Sequence, residues 1–580
     1  MEGPINPGIY RLCPEISVSG REEDAQPGYD LLRERLEKAL AGRERTVLTV
    51  ECYPGTDTRE LWEGLKALEF DRVIFSDDYA LPPEQIDASV CRELTDDPVF
   101  GIMTTWRLED FFPKEGLSRA REAAASGKRV LIYGVGAGLI ARGDILVQTD
   151  VTRWELQLRF RRGMNNWRTE KTGLSQREKY KRGYFSEWRW ADRVKEERLS
   201  DMDLYLDMTV PGSPVAVSGD AYREALKQVS RQPFRLTPYF DPGVWGGDWM
   251  KRHFSLPENG SNYAWSFDGV PEENSLTLDF SGVRLQTPAL NLVLLHPREL
   301  LGERVHGRYG KEFPIRFDML DTVHGQNLSL QVHPLTEYIQ RNFHMAYTQD
   351  ESYYILDAPG EDACVYLGLK TGIDPDKMLS DLEKAQSGGP AFPAENYVNR
   401  IPVKKHDHLL IPAGTVHCSG AGTMVLEISA TPYIFTFKLW DWGRLDLDGK
   451  PRPIHLEHGR NNIQWDRDTR WVEENLVNRI TPVYSGELGT VERTGLHPRE
   501  PLDTFRIHTT GTIPIRRQGS VHMLNLVEGH EAWLVSREGR FSPFRLMYAK
   551  TCIVPEAAGE YEIQSPDSQP VAVILACVRE

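Results

Sequence analysis

Apolar and polar positions alternate along this chain in two different rhythms. Between residues 28 and 225 a helical period dominates, broken by short continuous apolar runs. In 28–42 (GYDLLRERLEKALAG), Leu31, Leu32, Leu36 and Leu40 fall on one face and predict an amphipathic helix. The run 45–55 (RTVLTVECYPG) reads as a buried-type strand that stops at Pro54-Gly55. Helix-like 58–69, strand-like 70–78, helix-like 118–128, strand-like 129–139 and strand-like 144–151 follow. Strands spaced by helices predict a parallel α/β sheet.

Beyond about residue 232 the period shortens to two. SLTLDFSGVRL, NLSLQVHP, SYYILDA, CVYLGLK, HLLIPAGTVH, TMVLEIS and YIFTFKLWDW are set apart by turn residues, as in an antiparallel sandwich or barrel. One capped amphipathic helix, 374–389, interrupts them, and the β pattern resumes over 503–580. The expected organisation is an N-terminal extension (1–27), an α/β domain (28–228), a mostly β domain (229–500) and a small C-terminal β domain (501–580).

Composition narrows the function classes. With 580 residues, 40% hydrophobic and 27% charged, the chain is neither disordered nor fibrous. Its longest apolar runs, 290–295 and 571–578, fall far short of the roughly 18 residues a membrane span needs. The net charge of −16 disfavours nucleic acid and membrane surfaces as general partners, while leaving room for a local basic pocket. Seven cysteines without CxxC spacing argue against a disulfide framework or a thiolate zinc site. With no basic start and apolar stretch at the N-terminus, a cytoplasmic protein is expected.

Three β runs carry residues suited to one metal. Gln331 and His333 share a strand face through the two-residue period, Glu351 opens the next strand, and His417 closes IPAGTVH. Each alone is an ordinary strand residue. Together, a glutamine, a glutamate and two imidazoles form a nitrogen/oxygen set appropriate to zinc or a similar divalent ion with an open position.

At this point the residues resemble a family. Segment 232–580 is similar to type I phosphomannose isomerases, zinc-dependent cupins that interconvert mannose 6-phosphate and fructose 6-phosphate. The match runs in order through 238–247 (PYFDPGVWGG), 313–321 (FPIRFDMLD), 331–334 (QVHP), 366–370 (YLGLK), 403–405 (VKK), 411–417 (IPAGTVH), 426–428 (LEI) and 441–444 (DWGR). The resemblance implies jelly-roll domains, one zinc ion per chain on Gln331, His333, Glu351 and His417, a small-molecule sugar phosphate as substrate, and no cofactor-binding residues beyond the metal. Two departures stand out. Gln349 occupies a position where the family often has lysine, and Lys438 stands near where relatives have arginine. Lys438 and Arg444 are the expected catalytic cations, for proton-transfer support and for oxyanion or phosphate contact; ion pairing with Asp441 or Asp446 is the plainer alternative. The general base is left open among a metal-bound water, His406, His408, His455 and His458, with His406 and His408 expected in an exposed turn.

The element order of 28–225 resembles a nucleoside-kinase-like P-loop fold. A working P-loop needs glycines, a lysine and a hydroxyl around the phosphates. Here the first strand runs into 52–59 (CYPGTDTR), where Pro54 removes a donor and Asp57 repels phosphate, so a degenerate kinase-like domain is expected. The GxGxG at 134–138 is expected to be a tight turn. Basic and aromatic residues interleave over 153–198, with Glu155, Glu170, Glu178 and Glu187 among them, as in a lid or a helical surface. A non-catalytic sugar-phosphate sensor and a bifunctional enzyme that still transfers phosphate are the rival readings. Oligomeric state is not legible.

Overall fold

The computed structural model describes residues 12–257, 262–431, 433, 435–446, 449, 452–495 and 497–580. Residues 1–11 of the expected N-terminal extension lie outside that set. The chain divides into two compact units, one formed by Glu15–Val229 with Glu273–His296, the other by Met1–Pro14, Ser230–Glu272 and Pro297–Glu580.

In the first unit Thr46–Glu51, Arg72–Phe75, Arg129–Gly134, Ile145–Asp150 and Leu204–Asp207 form a parallel sheet. Val215–Ser218 and Gln26–Pro27 extend it antiparallel at one edge. Numbered along the chain, the parallel strands lie in the order 5-4-1-3-2. Thr46–Glu51 and Ile145–Asp150 are buried at every position, their polar residues included. The helix Gly28–Leu40 buries Leu32, Leu36 and Leu40, and the helix Lys114–Ala125 begins four residues before the expected start. The excursion 273–296 is invisible in the β grammar around it. Its strand Ser275–Phe280 pairs with Val283–Pro288 and with Glu15–Ser17. The apolar run Leu290–Leu295 is a helix whose Asn291 amide donates to Asp150 at 2.8 Å.

Both stretches suspected of phosphate binding are filled by the chain's own carboxylates. Asp57 caps the helix Thr58–Leu65, accepting from the Arg59 and Glu60 amides at 3.0 and 2.9 Å. Glu51 accepts from the Gly136 and Gly138 amides, both at 2.7 Å. Gly136 takes φ +79, and a Cβ there would lie 2.6 Å from the Phe112 ring, so the turn requires glycine. The basic-aromatic segment turns largely inward. Trp188 and Trp190 are each 1% exposed, and the cations meet internal carboxylates: Arg153 with Asp192 at 2.7 Å, Arg182 with Glu187 at 2.8 Å, Lys195 with Asp150 at 3.2 Å.

The second unit holds two antiparallel sandwiches. In the larger, six strands lie in the order His408–Ile411, Asp350–Asp357, Met424–Ala430, Arg316–Asp321, Trp265–Gly269 and Tyr239–Asp241. The companion sheet runs Val398–Pro402, Cys364–Leu369, His417–Ser419, Leu330–Val332 and Phe437–Trp440. Between Cys364–Leu369 and Val398–Pro402 sits the expected helix, Pro375–Gln386, capped by Asp374 with Pro375 at its first position. The smaller sandwich spans Thr481–Val578 in sheets of six and four strands around a core that includes Leu524, Leu534, Tyr561 and Val573. The chain is thus multidomain and mostly β after its α/β unit, a cupin-like arrangement.

Candidate metal centre

The proposed ligands come from both sheets of the larger sandwich. Gln331 lies in Leu330–Val332, with His333 directly after it. The register sets Gln331 opposite His417 on one side and opposite Lys438 on the other. Directly opposed residues of an antiparallel pair share a face, so His417, Gln331 and Lys438 form one row on three neighbouring strands. Glu351 belongs to the other sheet, opposite Ser429 and Ile411. Rather than closing a strand, His417 opens His417–Ser419, after the turn that follows His408–Ile411.

These side chains converge in the interior. His333 and His417 are fully buried, and Glu351 is 1% exposed. Their ligand atoms all lie within 4.8 Å of one another. Glu351 Oε2 is 3.1 Å from His333 Nε2, and Oε1 is 2.9 Å from His417 Nε2. The Gln331 amide lies 3.2 Å from His417 Nε2. Each imidazole has its other nitrogen on a backbone carbonyl: His333 Nδ1–H donates to Phe435 O and His417 Nδ1–H to Thr415 O, both at 2.9 Å. A carbonyl only accepts, so both Nε2 lone pairs face a carboxylate, another acceptor. These atoms could hold one cation, and the donor set fits a divalent metal, with backbone carbonyls fixing the rings. Burial opposes charge on both partners, yet the Glu351 carboxylate holds His333 above its usual range. The two imidazoles likewise hold Glu351 well below its own.

The other expected residues fall in different places. Lys438 is half-buried beside Gln331. Arg444 directs its guanidinium to the Asp441 carboxylate and to Asn327 O, 2.7 Å away, and Arg452 also reaches Asp441 at 2.9 Å. His408 is not in an exposed turn: it is fully buried in His408–Ile411, with Nε2 2.9 Å from Ser352 Oγ. His406 is half-buried at φ +74, its Nδ1 2.8 Å from Tyr354 OH. His458 Nδ1 sits 2.7 Å from Tyr338 OH.

Sequence reasoning passed over two neighbours of the cluster, Glu427 and Arg467, and noted a third, Gln349, only as a departure from the family. Glu427, buried in the middle of Met424–Ala430, lies opposite Asp318 and Tyr353, and burial beside Asp318 and Glu351 raises its carboxyl well above the usual range. A lone glutamate in the apolar run MVLEIS was the available signal. Gln349 donates from Nε2 to Glu351 Oε2 at 2.8 Å and to Glu427 Oε1 at 3.3 Å. Arg467, 3% exposed, donates to Pro412 O and Ala413 O at 2.7 and 2.8 Å and to Thr415 Oγ1. It thereby clamps the turn whose Thr415 carbonyl orients His417. Nothing in the spacing around Arg467 pointed to that turn.

A model for a domain of unknown function (DUF8485) matches residues 28–231. The mannose-6-phosphate isomerase ManA of Bacillus subtilis (strain 168) is 23% identical over 337 residues, 58% of this chain and 97% of that protein. The mannose-6-phosphate isomerase of Streptococcus mutans is 27% identical over 229 residues, 39% of this chain and 66% of that protein. Among solved structures, the mannose 6-phosphate isomerase from Bacillus subtilis covers 60% of this chain and 99% of its own, at 20% identity and TM-score 0.48. A mannose 6-phosphate isomerase solved with zinc bound covers 60% and 100%, at 14% identity and TM-score 0.45. Part of the chain is therefore distantly related to mannose-6-phosphate isomerases. No helix among the described residues is long and apolar enough to cross a membrane. All seven cysteines are free thiols.

Proposed function

We propose that the larger sandwich is a divalent-metal-dependent aldose–ketose isomerase that interconverts mannose 6-phosphate and fructose 6-phosphate. What carries the reading is the buried convergence of His333, Glu351 and His417, three acceptors facing one another, in a region similar to mannose-6-phosphate isomerases. Gln331, His333, Glu351 and His417 would hold the metal, with zinc the expected ion. When bound, such an ion supplies Lewis acidity toward the sugar oxygens on C1 and C2. The reaction is internally balanced. A base takes the C2 proton of the aldose, a cis-enediol forms, and a proton returned to C1 gives the ketose, with no external oxidant or reductant. Thr415 O and Phe435 O fix the imidazole tautomers, so the protein does not have to reorganise these rings as charge develops. Lys438, beside Gln331, is the cation proposed to meet the phosphate or the enediolate. Arg444 acts through Asp441, holding the segment that follows the Lys438 strand. The free thiols accord with a cytoplasmic setting.

A second reading, a sugar-phosphate-binding cupin with little or no turnover, is favoured by two observations: Arg444 is committed to Asp441, and neutral Gln349 stands beside Glu351. Calorimetric titration of zinc-loaded protein with mannose 6-phosphate, run beside a fructose 6-phosphate assay, separates the two. Binding with turnover supports the isomerase. Binding without turnover supports the sensor, and absence of both refutes the sugar-phosphate assignment.

A further inference from the structure

We propose that Gln349 is a positioning residue for the metal centre, tying Glu351 and His333 together through one side-chain amide. The inference rests on the metal reading above and extends it to a residue outside the ligand set. Gln349 is 2% exposed. Its Nε2 donates to Glu351 Oε2 at 2.8 Å, while its Oε1 accepts from the Phe435 N–H at 2.9 Å. Phe435 then accepts the His333 Nδ1–H on its carbonyl, also at 2.9 Å. A continuous path of three hydrogen bonds and the Phe435 backbone therefore runs from Glu351 to His333, and Gln349 makes two of the three.

The partners fix the orientation of the amide. Turned over, its NH2 would face the Phe435 N–H and its oxygen would face the Glu351 carboxylate, both contacts then pairing like with like. The chemistry also explains why a neutral amide serves here. A lysine ammonium donates to Glu351 but cannot accept from Phe435. A carboxylate accepts from Phe435 but cannot donate, and it sets a second negative charge against Glu351. Asparagine carries the same groups on a side chain one methylene shorter. Loss of an outer-shell partner of a metal ligand typically weakens metal binding 10- to 100-fold.

The test is zinc affinity of the full chain by competition with a chelator of known affinity, with the thermal midpoint of the metal-free protein measured alongside. Gln349→Met removes both contacts, and its zinc affinity is expected to fall at least tenfold while the metal-free midpoint shows that the fold is kept. Should that variant fail to fold, Gln349→Asn decides the matter: its side chain, one methylene shorter, cannot span Glu351 and Phe435 together, so it is also expected at least tenfold weaker. Cobalt(II) substitution adds a signature that a purely structural role would not move, a changed visible band in the variant. A folded variant with zinc affinity within twofold of wild type and an unaltered cobalt band overturns the inference. Wild-type protein that binds no zinc overturns the metal reading itself, a distinguishable failure.

Discussion

Lys195 in the α/β unit offers a sharp test of the view that the basic segment 153–198 is largely interior structure. Its ammonium is 1% exposed, 3.2 Å from Asp150 Oδ2 and 3.5 Å from Asp192 Oδ1, and it lies 4.2 Å from the centre of the Tyr53 ring. At an effective dielectric of about 20, each ion pair is worth about 5 kcal/mol of Coulomb energy. Deleting the ammonium also returns its desolvation penalty of several kcal/mol, so the two terms largely offset. What remains is the cost to the carboxylates. Asp192 keeps Arg153 at 2.7 Å and Tyr53 at 2.8 Å. Asp150, with no exposed side-chain surface, keeps the Asn291 amide and the Val151 N–H, both neutral. Lys195→Met is therefore expected to destabilise the unit by about 3–5 kcal/mol, the usual cost of stranding one buried charge. Adding Asp150→Asn removes the stranded charge and should recover part of that loss. The assay is guanidinium denaturation followed by tryptophan fluorescence, which Trp188 and Trp190 report from the interior of the unit. A single-variant loss below about 1 kcal/mol, or a double variant no more stable than the sum of the single losses, would refute the reasoning.

Other expectations follow from the same contacts. Arg467→Met leaves the Pro412 and Ala413 carbonyls without their buried donor, so amide exchange across 412–417 should quicken and zinc affinity fall. Normal protection in that turn would show that it holds itself. Lys438→Met should raise the KM for mannose 6-phosphate about 10- to 100-fold, the loss of one charge-assisted contact of about 1.5–3 kcal/mol, while zinc affinity is kept. An unchanged KM removes Lys438 from substrate contact. Burial lowers His408 from its usual 6.5 to about 3, so the unfolded chain binds the extra proton and stability is lost as pH falls below 6.5. Glu51 and Asp268, each raised by burial to about 7, act in the opposite sense, losing stability as pH rises toward 7. The whole-protein curve sums these effects, so the difference between variant and wild type is the quantity to measure. Between pH 6.5 and 4.5, His408→Gln should gain about 2–3 kcal/mol on wild type. A constant difference across that window would mean that His408 does not stay neutral.

Hydropathy made much of this architecture legible because burial on two faces and burial on one face leave different periods. Thr46–Glu51 was readable as a covered strand and Ile145–Asp150 as a strand, and Asp374-Pro375 announced a helix start within a β region. Excursions of the chain leave no such mark: 275–285 carries the same alternation whether its strands join an α/β unit or a sandwich. The cluster of Gln331, His333, Glu351 and His417 was visible through residue type and order along the sequence. Support for it was not, because Glu427, Arg467 and the link from Gln349 to Phe435 act through register and side-chain reach across segments far apart in sequence. His408 misled for a related reason. A histidine just after Lys404, Lys405 and Asp407 reads as exposed, whereas its strand pairs with Tyr354 and buries it completely. Glu51 filling the glycine turn was equally hidden, since 85 residues separate it from Gly136.

The central claim is that a metal held by His333, Glu351 and His417 enables isomerisation of mannose 6-phosphate. Its most direct test is fructose 6-phosphate formation by the full chain, first stripped of metal and then given one equivalent of zinc. Conversion should be absent from stripped protein, return with zinc, and stay lost in folded His333→Ala and His417→Ala variants under the same treatment. Conversion that persists without metal or survives both substitutions would contradict the account, as would zinc-loaded protein that binds the sugar phosphate and leaves it unchanged.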